Sequence, residues 1–223
     1  MNVFEIYGNK NKKNDKNGRS GTEKDNEKNS LAAKKNDEKD QLKIIKDVDL
    51  MKAVKNKEIE KIVALIGDGA NPTKTYLEYG YHCSSIEIAK KDLPIAELII
   101  DSVIEYCKKN PNEQNLTERQ EKINKTLIIA VAIRASIKQI QDLLDLGADP
   151  EATYKNFEMG QSAFIKSAVN DDEIMVRYLI DKVKNVSHCD EDGKTAFMYA
   201  MMWRNEKIQK IILDKKEKLL TYR

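Results

Sequence analysis

From residue 41 onward the apolar positions of this chain fall at helical spacing. Ile44, Ile45, Val48, Leu50, Met51, Ala53 and Val54 recur at intervals of one helix turn, and Ile59, Ile62, Val63, Leu65 and Ile66 resume the pattern after a break at Asn56. That is the signature of two amphipathic helices joined by a tight connection. The second run ends at Gly67-Asp68-Gly69-Ala70-Asn71-Pro72. Glycine permits a left-handed backbone at a helix end and proline prevents the helix from continuing, so Gly69 and Pro72 are assigned to a turn. The same exit returns at Gly147-Ala148-Asp149-Pro150, which gives Gly147 and Pro150 the same role.

Further helices follow along the chain. Pro94, with Asp92 as its cap, opens a helix carrying Ile95, Leu98, Ile99, Ile100, Val103 and Ile104 and running to Lys109. After a break at Asn110-Pro111-Asn112-Glu113, a capping box of Thr117 and Gln120 predicts a helix with Ile123, Leu127, Ile128, Ala130 and Val131. Phe164, Ile165 and Ala168 then precede Ile174, Met175, Tyr178, Leu179 and Ile180, while Phe197, Met198, Ala200 and Met201 precede Ile208, Ile211, Ile212 and Leu213. An Asn or Asp three residues before an Ile opens the second helix of four pairs: Asn56, Asp92, Asp171 and Asn205. In the remaining pair that position is Arg134, which cannot cap in this way.

Asp192-Gly193-Lys194-Thr195-Ala196-Phe197-Met198-Tyr199-Ala200 repeats the design of Gly160-Gln161-Ser162-Ala163-Phe164-Ile165-Lys166-Ser167, with 33 residues between the glycines. These units resemble ankyrin repeats, in which an Asp-Gly turn, T-P-L-H-x-A, two helices and Gly-Ala-Asp follow one another. Asp192, Gly193, Thr195 and Ala200 fall on family positions, whereas Ala196, Phe197 and Met198 replace Pro, Leu and His. The resemblance implies an all-α solenoid of about five helical hairpins with short turn or β-finger connections. Its units lie near 47–72, 80–110, 117–150, 159–184 and 192–214, with an insertion around 109–120. Gly160, Gly193 and Thr195 are expected to build turns and caps.

Residues 9–39 hold Leu31 as the only large aliphatic side chain and are dominated by Lys, Asn, Asp and Glu. Such a segment cannot bury enough apolar surface to offset the entropy of ordering it, so 1–40 is expected to be a disordered tail ahead of a repeat domain over 41–223. Over the whole chain Lys+Arg 39 nearly balances Asp+Glu 37, which argues against general nucleic-acid binding. No apolar run is long enough for a membrane span or a signal peptide. Three scattered cysteines fit a reducing compartment, so a cytoplasmic monomer is expected, with export by a non-classical route left open.

Candidate chemistry is sparse. His82-Cys83 and His188-Cys189 together hold the ligand types of a zinc site, but they lie 106 residues apart in turns of different units, and all four ligands must approach one ion. Cys107 has no histidine near it in sequence, and Gly67-Asp68-Gly69 closes a helix instead of opening one, so neither a nucleophile nor a phosphate loop is indicated. The expectation is a non-enzymatic protein without metal or cofactor.

A binding surface remains. In ankyrin-like arrays the turns and the ends of the first helices line a concave face. Here those positions hold Tyr76, Tyr79, Tyr81, Tyr154, Phe157 and Trp203. Aromatic side chains are enriched where interfaces draw their energy. Tyr79, Tyr154 and Trp203 are weighed evenly between binding and packing, and Phe157 is weighed toward packing beneath its own loop. The resemblance implies an adaptor or scaffold for a protein partner. The alternative is a tether whose Lys-rich tail docks on an anionic membrane or nucleic acid. Asn-, Lys- and Ile-heavy usage also resembles that of AT-rich genomes, including intracellular bacteria whose ankyrin proteins often act on host proteins.

Overall fold

The computed structural model describes residues 23–78, 81–113 and 115–221, and their side chains except those of 23–36, 77–78 and 81–82. The chain divides into two compact units, Met1–Gln41 and Leu42–Arg223. Within the first unit, the part of the expected tail over 1–22 lies outside the described residues. The part from Glu23 onward belongs to a helix, α1 (Glu23–Asn56). Asp37 to Asp40 are exposed, in keeping with a segment that buries no apolar surface. The helical backbone there is a matter of local preference, because Lys, Glu and Ala are good helix formers and neither Gly nor Pro interrupts the stretch.

The second unit is a solenoid of helical hairpins. The end of α1 pairs with α2 (Ile59–Gly67), α3 (Ser85–Ala89) with α4 (Leu93–Lys109), α5 (Leu116–Ala132) with α6 (Ile137–Asp145), α7 (Ala163–Val169) with α8 (Glu173–Ile180), and α9 (Ala196–Met202) with α10 (Glu206–Thr221). The first helices stack in the order α3, α5, α7, α9, and the second helices pack as α2 on α4 on α6 and as α8 on α10. One apolar core runs from Leu50 to Ile212. A two-stranded antiparallel hairpin, β1 (Tyr76–Glu78) and β2 (Tyr81–Cys83), supplies the finger between the first two pairs.

The Gly-Ala-Asx-Pro exits do more than end helices. Gly69 and Gly147 sit at φ +91 and +94. The carbonyl of Pro72 then accepts from the Ile86 amide at 2.9 Å, and that of Pro150 accepts from the Phe164 amide at 3.0 Å. Each exit is thereby bonded to the first helix of the next unit. Asn71 and Asp149 turn their side chains onto the amides two residues ahead, at 3.0 and 2.9 Å. Asn185 does the same at 3.0 Å in a unit whose sequence has neither the glycine nor the proline. The asparagine or aspartate is the part of this turn that survives.

The link inside each hairpin departs from the cap rule read in the sequence. Lys57, Arg134, Asp171 and Arg204 occupy equivalent positions after the first helix and all adopt left-handed backbones, with φ between 54 and 59. Arg134 is thus matched to Asp171 in position, but neither caps. The caps are Asp172 and Ser136, whose side chains accept from the amides of Met175 and Gln139. Asn56 lies inside α1, whereas Asp92 occupies the N-cap of α4 and Asn205 caps as expected, accepting from Ile208 at 3.0 Å. Asn115 caps α5 through the Glu118 amide, two residues before the Thr117–Gln120 box would have placed it. The extra length expected around 109–120 resides mainly in helices: α4 and α5 have 17 residues each, against 7 in α7 and α9.

Thr195 accepts from the Met198 amide at 3.3 Å and caps α9, and Gly193 turns ahead of it at φ +74. Gly160, at φ +67, is the most confined glycine, since a Cβ there would lie 2.6 Å from the Glu191 side chain and 3.2 Å from the Glu191 nitrogen. Gly160→Ala is therefore expected to destabilise the fold by about 1–3 kcal/mol, whereas Gly147→Ala, strained but with open space around it, loses less. Urea unfolding of the two variants measures the difference, and equal losses would show that crowding against Glu191 contributes nothing.

Candidate partner-binding face

The equivalent left-handed turn residues put the ends of the first helices in register. Reading the two residues before that position, the units present Lys55 and Asn56, Ala132 and Ile133, Val169 and Asn170, and finally Met202 and Trp203. The shorter turn of the second pair presents Lys90 and Lys91. These positions share one surface. A cleft of roughly 370 Å³ is lined by Lys90, Leu93, Ala132, Ile133, Val169 and Asn170, together with Glu158 and Lys166. A second, of roughly 270 Å³, continues through Lys55, Lys57, Lys91 and Asp92 over a floor that includes Val54, Ile88 and Ile95.

Polar links bind neighbouring turns along this surface. Asn170 donates to the Val131 carbonyl at 2.8 Å, and Arg134 returns a hydrogen bond to the Asn170 carbonyl. The Trp203 indole N–H donates to the Val169 carbonyl at 2.9 Å, and Lys57 pairs with Asp92 at 2.6 Å. At the C-terminal end the surface is apolar and open. Met198, Met201, Met202 and Trp203 are 47, 55, 61 and 56% exposed, and Met159 is 56% exposed. In α9, Ala196-Phe197-Met198-Tyr199-Ala200-Met201-Met202 is apolar on every side, yet only Ala196, Tyr199 and Ala200 are buried. In the sequence the aromatic residues stand out and these methionines do not. An all-round apolar helix with packing on one side was the available signal.

Of the six aromatic candidates, Trp203 alone is both described and openly presented. Phe157 is fully buried, which removes it from any surface; Lys125 lies over its ring at 5.0 Å. Tyr154 is half-buried, with its hydroxyl accepting from Asn124 at 2.9 Å and Lys125 over its ring at 5.1 Å. Tyr76, also half-buried, donates to the Asp47 carboxylate at 2.7 Å. That carboxylate is pushed above its usual range by burial, against the opposing hydrogen bonds from the Asn71 amide and Tyr76. Tyr79 lies outside the described residues, and so does the Tyr81 side chain; the Tyr81 backbone pairs with Glu78.

One carboxylate on the face was not anticipated. The segment leading into α7 places Asn156, Glu158 and Met159 at φ 60, 48 and 57, ahead of Gly160. Three left-handed non-glycine residues in so short a stretch store strain. What holds them is the nearly buried Glu158 carboxylate, which pairs with Lys90 after α3 and with Lys166 of α7 at 2.9 Å. The Asn156 amide adds a hydrogen bond to Glu191 at 2.8 Å, and the Met159 carbonyl accepts from the Glu191 amide at 3.1 Å. Burial acts to raise the Glu158 carboxyl, but Lys166 and Lys90 outweigh it and hold the group below its ordinary value. Glu87 nearby is raised by burial, with the Glu158 charge adding to the effect.

Of the groups weighed for chemistry, His188 and Cys107 are committed to the fold, and the His82 side chain lies outside the described residues. His188 stands 2.7 Å from the Ser162 hydroxyl and 2.8 Å from the Asn185 carbonyl, so it ties a turn to the cap of α7. Cys107 is buried, and burial pushes its thiol up, opposite to what a nucleophile needs. No helix among the described residues is long and apolar enough to cross a membrane.

Comparison with known proteins agrees with the geometry. The family of ankyrin repeats (3 copies) matches residues 127–221, which takes in the end of α5 and α6 through α10. No curated protein matches the chain. Residues 127–221 are ankyrin repeats, and such repeats indicate a protein–protein interaction module, a class that is generally not enzymatic.

The Glu158 pairing carries a pH prediction. With its folded pKa below the ordinary 4.5, Glu158 contributes stability that is complete above pH 4.5 and is lost as the pH falls through the folded value. Glu158→Gln should therefore cost about 3 kcal/mol near neutral pH, with the gap from the wild type closing below pH 4.5. Denaturant unfolding of both proteins between about pH 3 and pH 7 measures this, and a gap independent of pH would show that the carboxylate charge is not what holds the loop.

Proposed function

We propose that this protein is a non-catalytic adaptor that holds a protein partner on the face made by the ends of its first helices, with Trp203 and the methionines of α9 as the apolar anchor. The carrying observation is the open group of Met198, Met201, Met202 and Trp203 on one short helix. Contiguous apolar surface of this kind marks an interaction site, because leaving it in water forfeits the gain from burying it. The Trp203 ring is pre-oriented by its bond to the Val169 carbonyl, so little rotamer freedom remains to be lost on contact. Thioether side chains adapt their shape around it.

The test is capture by the full chain, comparing the wild type with Trp203→Ala and with Met201→Ser combined with Met202→Ser. Each variant is expected to lose specific partners by about tenfold or more while remaining folded, since a buried aromatic anchor is worth about 2 kcal/mol or more at an interface. Folded variants that retain every partner would place the binding surface elsewhere.

A further inference from the structure

The last hairpin keeps the outer face of the hairpins before it. Counted from the left-handed turn residue of a unit, the position six residues earlier holds Met51, Ile128, Ile165 and finally Met198. The position three residues earlier holds Val54, Val131, Ala168 and Met201. Nine residues after the turn, the units of Lys57, Asp171 and Arg204 place Ile66, Ile180 and Leu213. In the earlier units all of these side chains are buried, whereas Met198 and Met201 lie open and Leu213 is 45% exposed. The last unit thus retains the apolar chemistry by which one unit receives the next, and nothing among the described residues covers it. A solenoid that ends in water ends on a polar face. The opposite end of this one does so. Tyr199, hydrogen-bonded to Gln161 of the preceding unit, and the buried Ile208 correspond in the first hairpin to Lys52 and Lys61. Both lysines are exposed and paired with carboxylates, Asp49 and Glu58.

We propose that the outer face of the last hairpin is covered by the same face of a second copy of the chain. The result is a two-fold dimer, in place of the monomer expected from the sequence, in which the two α10 helices cross antiparallel near Leu213. The proposal goes beyond the adaptor reading and does not rest on it. Met198 and Met201 turn to the dimer, while Met202 and Trp203, next to the left-handed turn, stay with the partner-binding face.

Three observations select this occupant. The first is that α10 does not prepare for a further repeat of its own chain. Asn185 turns the chain toward the next unit after α8, but its counterpart 33 residues on, Lys218, is still helical. Accordingly α10 runs for 16 residues against 8 in α8. The second is the difference between the two ends. End-to-end stacking would set Met198 and Met201 against Lys52 and Lys61, whereas two C-terminal faces match apolar with apolar. A contact between identical faces closes at two copies. The third is charge. The ion pairs that α10 makes within the chain use Lys207 and Lys215. Lys210 and Glu217 are exposed, flank Leu213 on its own side of the helix, and belong to no ion pair among the described residues. With the two-fold axis between Leu213 and Asp214, each Lys210 stands opposite Glu217 of the other copy, so two ion pairs flank an apolar centre. Leu220, exposed on the same side two turns along, lengthens the contact.

Sedimentation equilibrium of the full chain at about 1 to 100 μM measures the association. The expected result is a monomer–dimer equilibrium that Leu213→Glu weakens about a hundredfold, by placing two unpaired carboxylates at the centre. Lys210→Glu and Glu217→Lys should each weaken it about tenfold, because the symmetry turns one reversal into two like-charged pairs. Both changes on one chain should restore it, since each pair is then only reversed in sign. These positions are exposed, and a native circular dichroism spectrum establishes that each variant is folded. The readout uses the chain alone, so it is independent of whether any partner is captured. A monomer throughout, polymers longer than two, association indifferent to Leu213→Glu, or a double variant as weak as the single ones each overturns the proposal.

Discussion

No hairpin in this array owns a core. Each pair of helices has an apolar side that is dry only because the next pair covers it, and that constraint dictates the rest of the architecture. It explains why α5, enclosed between α3 and α7, is buried continuously from Lys122 to Val131, while α9 and α10 leave Met198, Met201, Met202, Leu213 and Leu220 in contact with water. It also explains where the hydrogen bonds between units fall. The carbonyls of Pro72 and Pro150, freed at a helix end, are given to the first helix of the following unit, so termination and stacking are one event.

Enclosure has an electrostatic cost, which the middle of the array meets in a consistent way. Lys122, Lys125 and Lys166 are all nearly buried. Lys122 is paired with Glu113 and lies over the Tyr106 ring, Lys125 is paired with Glu121 and lies over Tyr154 and Phe157, and Lys166 is paired with Glu158. Each cation has a carboxylate, and two have an aromatic face as well, which replaces part of the lost hydration. The aromatic residues that looked like partner-binding candidates in the sequence, Tyr154 and Phe157, are thus committed to keeping a lysine inside.

That division marks what a sequence can reveal. The helical hairpins were legible because apolar spacing and the Gly-Ala-Asx-Pro exits are local signals. Trp203 was legible because a large aromatic residue at the end of a short helix is conspicuous. The left-handed turn residues were not, because Lys57, Arg134, Asp171 and Arg204 share a backbone shape and no side-chain chemistry. Nor could the role of Glu158 be read, since Lys90 lies 68 residues away and is brought near only by the stacking of intervening units. The methionines of α9 lay in plain view, but their meaning depends on which side of the helix is covered, and that is a tertiary fact.

The Glu158 bridge has a mechanical meaning. In a simple stack each unit touches only its neighbours, so tension applied at the ends can peel units off one at a time. Here a single carboxylate, carried on the segment before α7, grips α7 through Lys166 and reaches past α5 to Lys90. Force entering the middle of the array is shared across three layers at once.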